Sequence, residues 1–174
     1  MPAVERVSSP DGAVTLMLSD IAGADAAASR LGSDRWEQLL HDHRVLVERL
    51  LSEHGGQVVK FERDGFLASF NSAHAGLHAA VELQRAFAGG DAEGLSMRVG
   101  VHSGFVIANP DQLLGRNVVL AARIAGQAKG GEILVSAALK QYTESDSSVR
   151  FEPRGEHHFK GLHGEHELYC VRWS

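Results

Sequence analysis

The 174-residue sequence has one cysteine, Cys170, and no apolar run near the roughly 18 residues that a membrane-spanning helix needs. A lone thiol excludes an internal disulfide framework and suits a reducing compartment. The N-terminus lacks the basic, apolar, small-residue order of a signal peptide. Positive charge is also scarce. The net charge of −5 runs against the basic footprint of a general nucleic-acid binder. There is no internal repeat, no low-complexity tract and no convincing linker after residue 13. Hydrophobic residues at 44% and charged residues at 22% are ordinary for a globular protein, and the length is that of one domain with a real core. The expectation is a cytoplasmic domain over residues 14 to 174 behind a flexible leader, residues 1 to 13, with no nucleic-acid or membrane partner.

Periodicity supplies the elements. "VTLMLSDI" (14 to 21) is a β-rich apolar run ending near Asp20, followed by the small-residue stretch "AGADAAASRLG". From Ser33 to Gly55, Trp36, Leu39, Leu40, His43, Leu46, Val47, Leu50 and Leu51 recur at helical spacing. "VVKFERDGFLASF" (58 to 70) reads as two strands joined at Asp64-Gly65. A second helix, "SAHAGLHAAVELQRAFAGG", turns Leu77, Ala80, Val81 and Phe87 inward. "SMRVGVHSGFVIA" is strand-like, with a break at Ser103-Gly104. "LLGRNVVLAARIAGQAKGG" is a third helix, "EILVSA" another strand, and the last thirty residues read as short strands. Strand, helix, strand, strand, helix, strand over residues 14 to 104 is the ferredoxin-like split βαβ order, an α+β fold with a mostly antiparallel sheet and a C-terminal extension.

The hairpin puts Lys60, Glu62 and Asp64 on one strand face, where alternation would allow apolar residues. Asp20 ends the first strand and Asp64 lies at the hairpin tip. In a split βαβ sheet these strands are neighbours, so the carboxylates can converge beside "DIAGA". Two carboxylates at a sheet end suit Mg²⁺, with phosphate oxygens and water completing its shell. The alternatives are that Asp20 caps the segment after it and that Asp64 serves an Asp-Gly turn. Lys60 and Asp64 are separated by about 13 Å of extended chain, so they touch different ends of a ligand or belong to different sites. Otherwise Lys60 is a surface lysine lying along its strand. Arg123, within the apolar "LAARIA", is either paired structurally or held for an anion. His157, His158, His163 and His166 show no zinc spacing and read as a solvated loop.

"LSDIAG", "GGQVVKFERDGFLASF", "VGVHSG", "GRNVVLAARIAGQAKGGEILVS" and "FKGL" together resemble, in order and spacing, the class III nucleotide cyclase catalytic domain, over about residues 13 to 172. The resemblance implies that fold and a homodimer with shared active sites. It also implies cyclisation of ATP to 3′,5′-cyclic AMP and pyrophosphate, with two Mg²⁺ or Mn²⁺ ions per site. It assigns Asp20, Asp64 and the Ile21 carbonyl to the metals, Lys60 and Gln112 to the purine, and Gly23 and Ala24 to the substrate. Arg123 falls to the phosphates in the transition state. Lys60 resembles the adenine-selecting version of that position, since guanylate-selective members tend to carry Glu there.

Four positions depart from the family pattern. Val119 stands where an asparagine orients the ribose, and Asn117 lies about 200° away around a helix. Gln112 stands for the usual Asp or Thr, Asp25 for a Thr facing the triphosphate, and Arg63 for the glycine before the second aspartate. The reading they support is an adenylate cyclase of low activity. The alternatives are a silent cyclase-homology domain that binds nucleotide or only dimerises, and a plain ferredoxin-like interaction domain.

Overall fold

The apolar, β-rich "VTLMLSDIA" becomes the strand around which the rest is arranged. The computed structural model describes residues 13–89, 94–109 and 112–173. In chain order the elements are β1 (Val14–Ala22), α1 (Ala24–Leu31), α2 (Ser33–Glu53), β2 (Gln57–Glu62), β3 (Gly65–Phe70), α3 (Ala73–Gly89) and β4 (Ser96–Gly104). Next come a small hairpin of β5 (Ile107–Asn109) and β6 (Gln112–Leu114), then α4 (Arg116–Gln127), β7 (Ile133–Ser136), α5 (Ala137–Tyr142), β8 (Arg150–His158) and β9 (Glu165–Arg172).

Among the described residues, seven strands form one sheet in the order β2-β3-β1-β4-β7-β9-β8, and only the β4–β7 pair is parallel. The first four strands have the split βαβ arrangement, with β3 between β1 and β2 and antiparallel to both. Alternation along β1 divides the core. Met17 and Ile21 face the large cluster under α2, α3 and α5, while Val14, Leu16 and Leu18 face the smaller clusters under α4. Asp20 follows Leu18 onto the α4 face.

The α2 periodicity holds: Leu39, His43, Val47, Leu50 and Leu51 are buried. So does that of α3, where Leu77, Ala80, Val81 and Phe87 are buried. Several expectations need correcting. The hairpin turns on Arg63-Asp64, because Glu62 pairs with Gly65. Gly65 is needed for a different reason: a Cβ there would lie 2.6 Å from the Ser19 carbonyl oxygen of β1. The stretch after Asp20 forms α1, and Ser136 caps the short α5 by accepting from the Leu139 amide at 3.1 Å. Leu113 and Leu114 belong to β6, so α4 begins only at Arg116. The C-terminal strands are long, and β8 and β9 carry His157, His158 and His166 on a ladder instead of a loop. Of the expected leader, Ala13 is buried, and residues 1 to 12 lie outside the described residues. Among the described residues no helix is long and apolar enough to cross a membrane.

His43 is the unusual member of the α2 core face. Its ring meets Phe87 edge-on at 5.3 Å, and among the described residues neither ring nitrogen has a hydrogen-bond partner. Burial lowers its pKa to about 4, against a smaller opposing pull from Asp64. The folded protein therefore keeps His43 neutral where the unfolded chain protonates it. This group's contribution to stability is complete above pH 6.5 and is lost as pH falls to about 4. Across that window His43 accounts for roughly 3 kcal/mol. In urea titrations at stepped pH, His43→Leu is expected to remove that part of the acid slope while staying folded at pH 7; an unchanged slope refutes the assignment.

Candidate functional site

The open end of β1 gathers charge. Register places Asp20 opposite Arg98 of β4. Arg98 Nε donates to Asp20 Oδ1 at 2.6 Å, and its Nη2 donates to Oδ2, a two-pronged contact that suits guanidinium and carboxylate. The bonded carboxylate raises the Arg98 pKa further above its already high value. From the neighbouring hairpin Asp64 joins the same end: its Oδ2 accepts from the Ile21 amide at 2.9 Å. Arg63, beside it, takes φ 55°, the only positive φ of a non-glycine among the described residues. The Arg63 carbonyl accepts from Arg44 Nη2 at 2.7 Å, which ties the turn to α2.

Two cavities share Asp20 and Asp64. One, of about 570 Å³, is also lined by Gly23, Ala24, Asp25 and Arg98. It opens onto the start of α1, where Gly23 accepts the first helical bond from the Ala27 amide and the amides before Ala27 lack intrahelical partners. Such a terminus favours anions, and Asp25 in the first turn already supplies one negative charge. The second cavity, of about 560 Å³, lies on the α4 face and is lined by Lys60, Leu113 and Val118 as well. Lys60 is exposed and pairs with Glu62 at 3.3 Å. A bulge between Val58 and Lys60 shifts the β2–β3 register ahead of it.

The position of α4 is set by close approach and by a buried polar chain. Gly100 of β4 lies under α4, where an added Cβ would come 2.5 Å from the Ala125 amide nitrogen. Beside it His102 Nε2 lies 2.8 Å from Asn117 Oδ1 and its Nδ1 lies 2.6 Å from Ser136 Oγ. The Asn117 amide group donates to the Phe105 carbonyl at 2.8 Å, so its Oδ1 is the acceptor and His102 Nε2 carries the proton. Ser136 Oγ then donates to Nδ1. Burial lowers the His102 pKa, which keeps this neutral tautomer in place.

The family model described as the adenylate and guanylate cyclase catalytic domain matches residues 7–172. The chain belongs to that family. A Rhizobium meliloti (strain 1021) protein carrying an adenylate cyclase name is 29% identical over 167 residues; the match covers 90% of this chain but spans only 28% of that relative. The adenylyl cyclase CyaB from P. aeruginosa has the same fold, with TM-score 0.83 at 21% identity over 93% of this chain and 94% of that one. The guanylate cyclase domain of RhGC from Catenaria anguillulae, solved with GTP, superposes at TM-score 0.82 with 22% identity, covering 92% of this chain and 96% of that one.

Of the residues singled out from sequence, this cyclase domain brings Asp20, Ile21, Asp64, Gly23, Ala24 and Asp25 to one end of the sheet. Lys60 joins the two aspartates in the second cavity. Val119 and Arg123 are both exposed, one helical turn apart on α4, and neither lines either cavity. Gln112 lies in β6, paired with Asn109. Asn117 is committed to His102 and Phe105, so it does not stand in for Val119. Sequence reasoning missed Arg98 and His102. A lone arginine in the apolar strand "SMRVGVHSG" is a signal, but its partner emerges only from the β1–β4 register.

Asn117→Ala leaves the buried His102 N–H and the Phe105 carbonyl without partners. The expected loss is about 1–3 kcal/mol, read as a lower urea midpoint with an unchanged slope. A midpoint equal to wild type removes this network from the account of how α4 is held.

Proposed function

We propose that this domain is a nucleotide cyclase converting ATP to 3′,5′-cyclic AMP and pyrophosphate, acting as a homodimer with sites shared between subunits. The observation that carries the reading is the convergence of Asp20 and Asp64 beside the free amides at the start of α1. Two carboxylates at one sheet end are an oxygen donor set that fits a divalent cation once Asp20 yields part of its Arg98 contact. Two Mg²⁺ or Mn²⁺ ions held by Asp20, the Ile21 carbonyl and Asp64 would lower the pKa of the attacking hydroxyl and neutralise the leaving pyrophosphate. The substrate 3′-oxygen bonds to the α-phosphorus as its proton passes to solvent water, and the bond from that phosphorus to the bridging oxygen breaks, so pyrophosphate leaves.

The chain's own residues position and stabilise. Gly23 and Ala24 offer amides to phosphate oxygens. Arg123, outside the cavities of its own subunit, is available to the phosphates of a partner's site. The exposed apolar Phe105, Ile107, Leu114 and Val119 supply a surface for the second subunit. Lys60 only donates, which matches N1 of adenine and not of guanine, and Gln112 is assigned to accept from the adenine amino group. A second reading, a silent domain that binds nucleotide or only dimerises, is favoured by three features. Val119 offers the ribose no hydrogen bond, Asp25 opposes phosphate at the α1 terminus, and Asp20 is held by Arg98.

Incubation with Mn²⁺ or Mg²⁺ and either ATP or GTP, followed by mass detection of the cyclic product, separates the readings. Cyclic AMP is expected, abolished by Asp20→Ala and by Asp64→Asn, which keeps the turn chemistry. Nucleotide binding without product establishes the silent domain. Light scattering across a concentration series is expected to show a dimer, and a strict monomer that turns over ATP refutes shared sites.

Base choice is expected to favour ATP by roughly tens-fold, the equivalent of one buried hydrogen bond. Val119→Asn should raise turnover with ATP still preferred, whereas Lys60→Glu should erode the preference. An active enzyme indifferent to both changes has its ribose and purine contacts elsewhere.

A further inference from the structure

On the opposite sheet face from Asp20, three side chains outside the nucleotide site converge. His74 and His78 stand one turn apart on α3, and Asp146 lies in the loop after α5. One ligand atom from each lies within 4.8 Å of the other two. Asp146 Oδ2 is 2.5 Å from His78 Nε2 and 3.5 Å from His74 Nδ1. Both histidine side chains are about two-fifths exposed, at 43% and 42%, while that of Asp146 is 13% exposed.

The carboxylate is oriented from behind. Asp146 Oδ1 accepts from the Ser148 amide at 3.0 Å and from the Ser148 hydroxyl at 2.5 Å, which leaves Oδ2 for the imidazoles. The Ser148 hydroxyl, with His78, holds the Asp146 carboxyl well below the usual carboxylate range. The Asp146 amide donates to the Thr143 carbonyl at 3.0 Å, and the buried Thr143 hydroxyl donates to Leu139 of α5 at 3.0 Å. On the other side α3 is anchored by Leu77, Ala80 and Val81 in the core. The three donors therefore sit on two braced elements.

We propose that His74, His78 and Asp146 form a binding site for a borderline transition-metal ion, Zn²⁺ in the first instance, that clamps α3 to the loop after α5. Two imidazoles and one carboxylate are the donor set of zinc and its neighbours, whereas Mg²⁺ takes oxygen ligands and keeps its waters. Ligand atoms about 2 Å from a tetrahedral ion lie about 3.3 Å from one another, so rotamer adjustments on the order of 1 Å complete the site. As the ion takes the place between His78 Nε2 and Asp146, the neutral His78 ring carries its one proton on Nδ1. Water fills the fourth position. The site shares no residue with the nucleotide reading and stands or falls apart from it.

The test is a titration of the metal-stripped chain with ZnCl₂, followed by calorimetry, thermal unfolding and imidazole nitrogen NMR. One equivalent is expected to bind, with a thermal midpoint about 5–10 °C higher at a hundred-fold excess over Kd. Ring-nitrogen shifts are expected at His74 Nδ1 and His78 Nε2. His74→Gln and His78→Gln, both at half-exposed positions, should each weaken binding about ten-fold or more, while His163→Gln should not. Absence of zinc binding overturns the site and leaves the cluster a histidine–aspartate hydrogen bond. Zinc that binds with no shift at His74 or His78 in the wild-type chain, or equally well to both variants, is held elsewhere and overturns it too.

Discussion

Everything at the acidic end of the sheet depends on β1 being hydrogen-bonded on both sides in a fixed register. Its partners run from Val14↔Gly104 to Ala22↔Ser96 along β4, and from Thr15↔Phe70 to Ser19↔Phe66 along β3. That register puts Asp20 across from Arg98 and brings the Asp64 turn to the Ile21 amide. A slip of one residue would turn Met17 and Ile21 out of the large core and Asp20 into it. The hydrophobic alternation of β1 and the placement of the acidic end are thus one constraint. Gly65 is its local expression, because a side chain there would collide with the Ser19 carbonyl and push the hairpin away.

The two faces of the sheet then take different work. Under α2, α3 and α5 lies the large apolar cluster that dominates stability, with His43 as a neutral polar intruder. On the other face α4 lies close over Gly100 and is pinned by the chain from Ser136 through His102 to Asn117. That chain is fully paired, the condition under which buried polar groups rigidify a structure. The face beside it remains open, with exposed Phe105, Ile107, Leu114 and Val119. Arg123 lines neither of the cavities that hold Asp20 and Asp64, and the proposed chemistry therefore calls on a second subunit.

The pairing of Asp20 with Arg98 has a physical logic in the isolated chain. Two carboxylates at one sheet end repel each other unless a cation neutralises them, and Arg98 performs that service from the adjacent strand. Both partners are about one-third exposed, which limits the strength of the pair and leaves the carboxylate exchangeable. Arg63 shows a local cost at the same place: a left-handed backbone is held by a residue with a Cβ, beside the aspartate that the turn presents.

By itself the sequence determined the order of the main elements, the inward faces of α2 and α3 and the family, because periodicity and ordered motifs are local signals. It also marked Lys60 and Asp64, since charges on a strand face break an alternation that apolar residues would otherwise fill, and Asp20, by its place near the end of the first strand. Short pieces were illegible: α1 consists of small residues with little periodicity, and α5 depends on a cap at Ser136 that reads equally as the end of a strand. Partnerships across the sheet were decided only by the tertiary structure. Arg98 lies 78 residues from Asp20, Asp146 lies 68 from His78, and no spacing rule along the chain connects either pair. Their meeting results from strand register and from the packing of α3 against the segment after α5, which are properties of the folded chain as a whole.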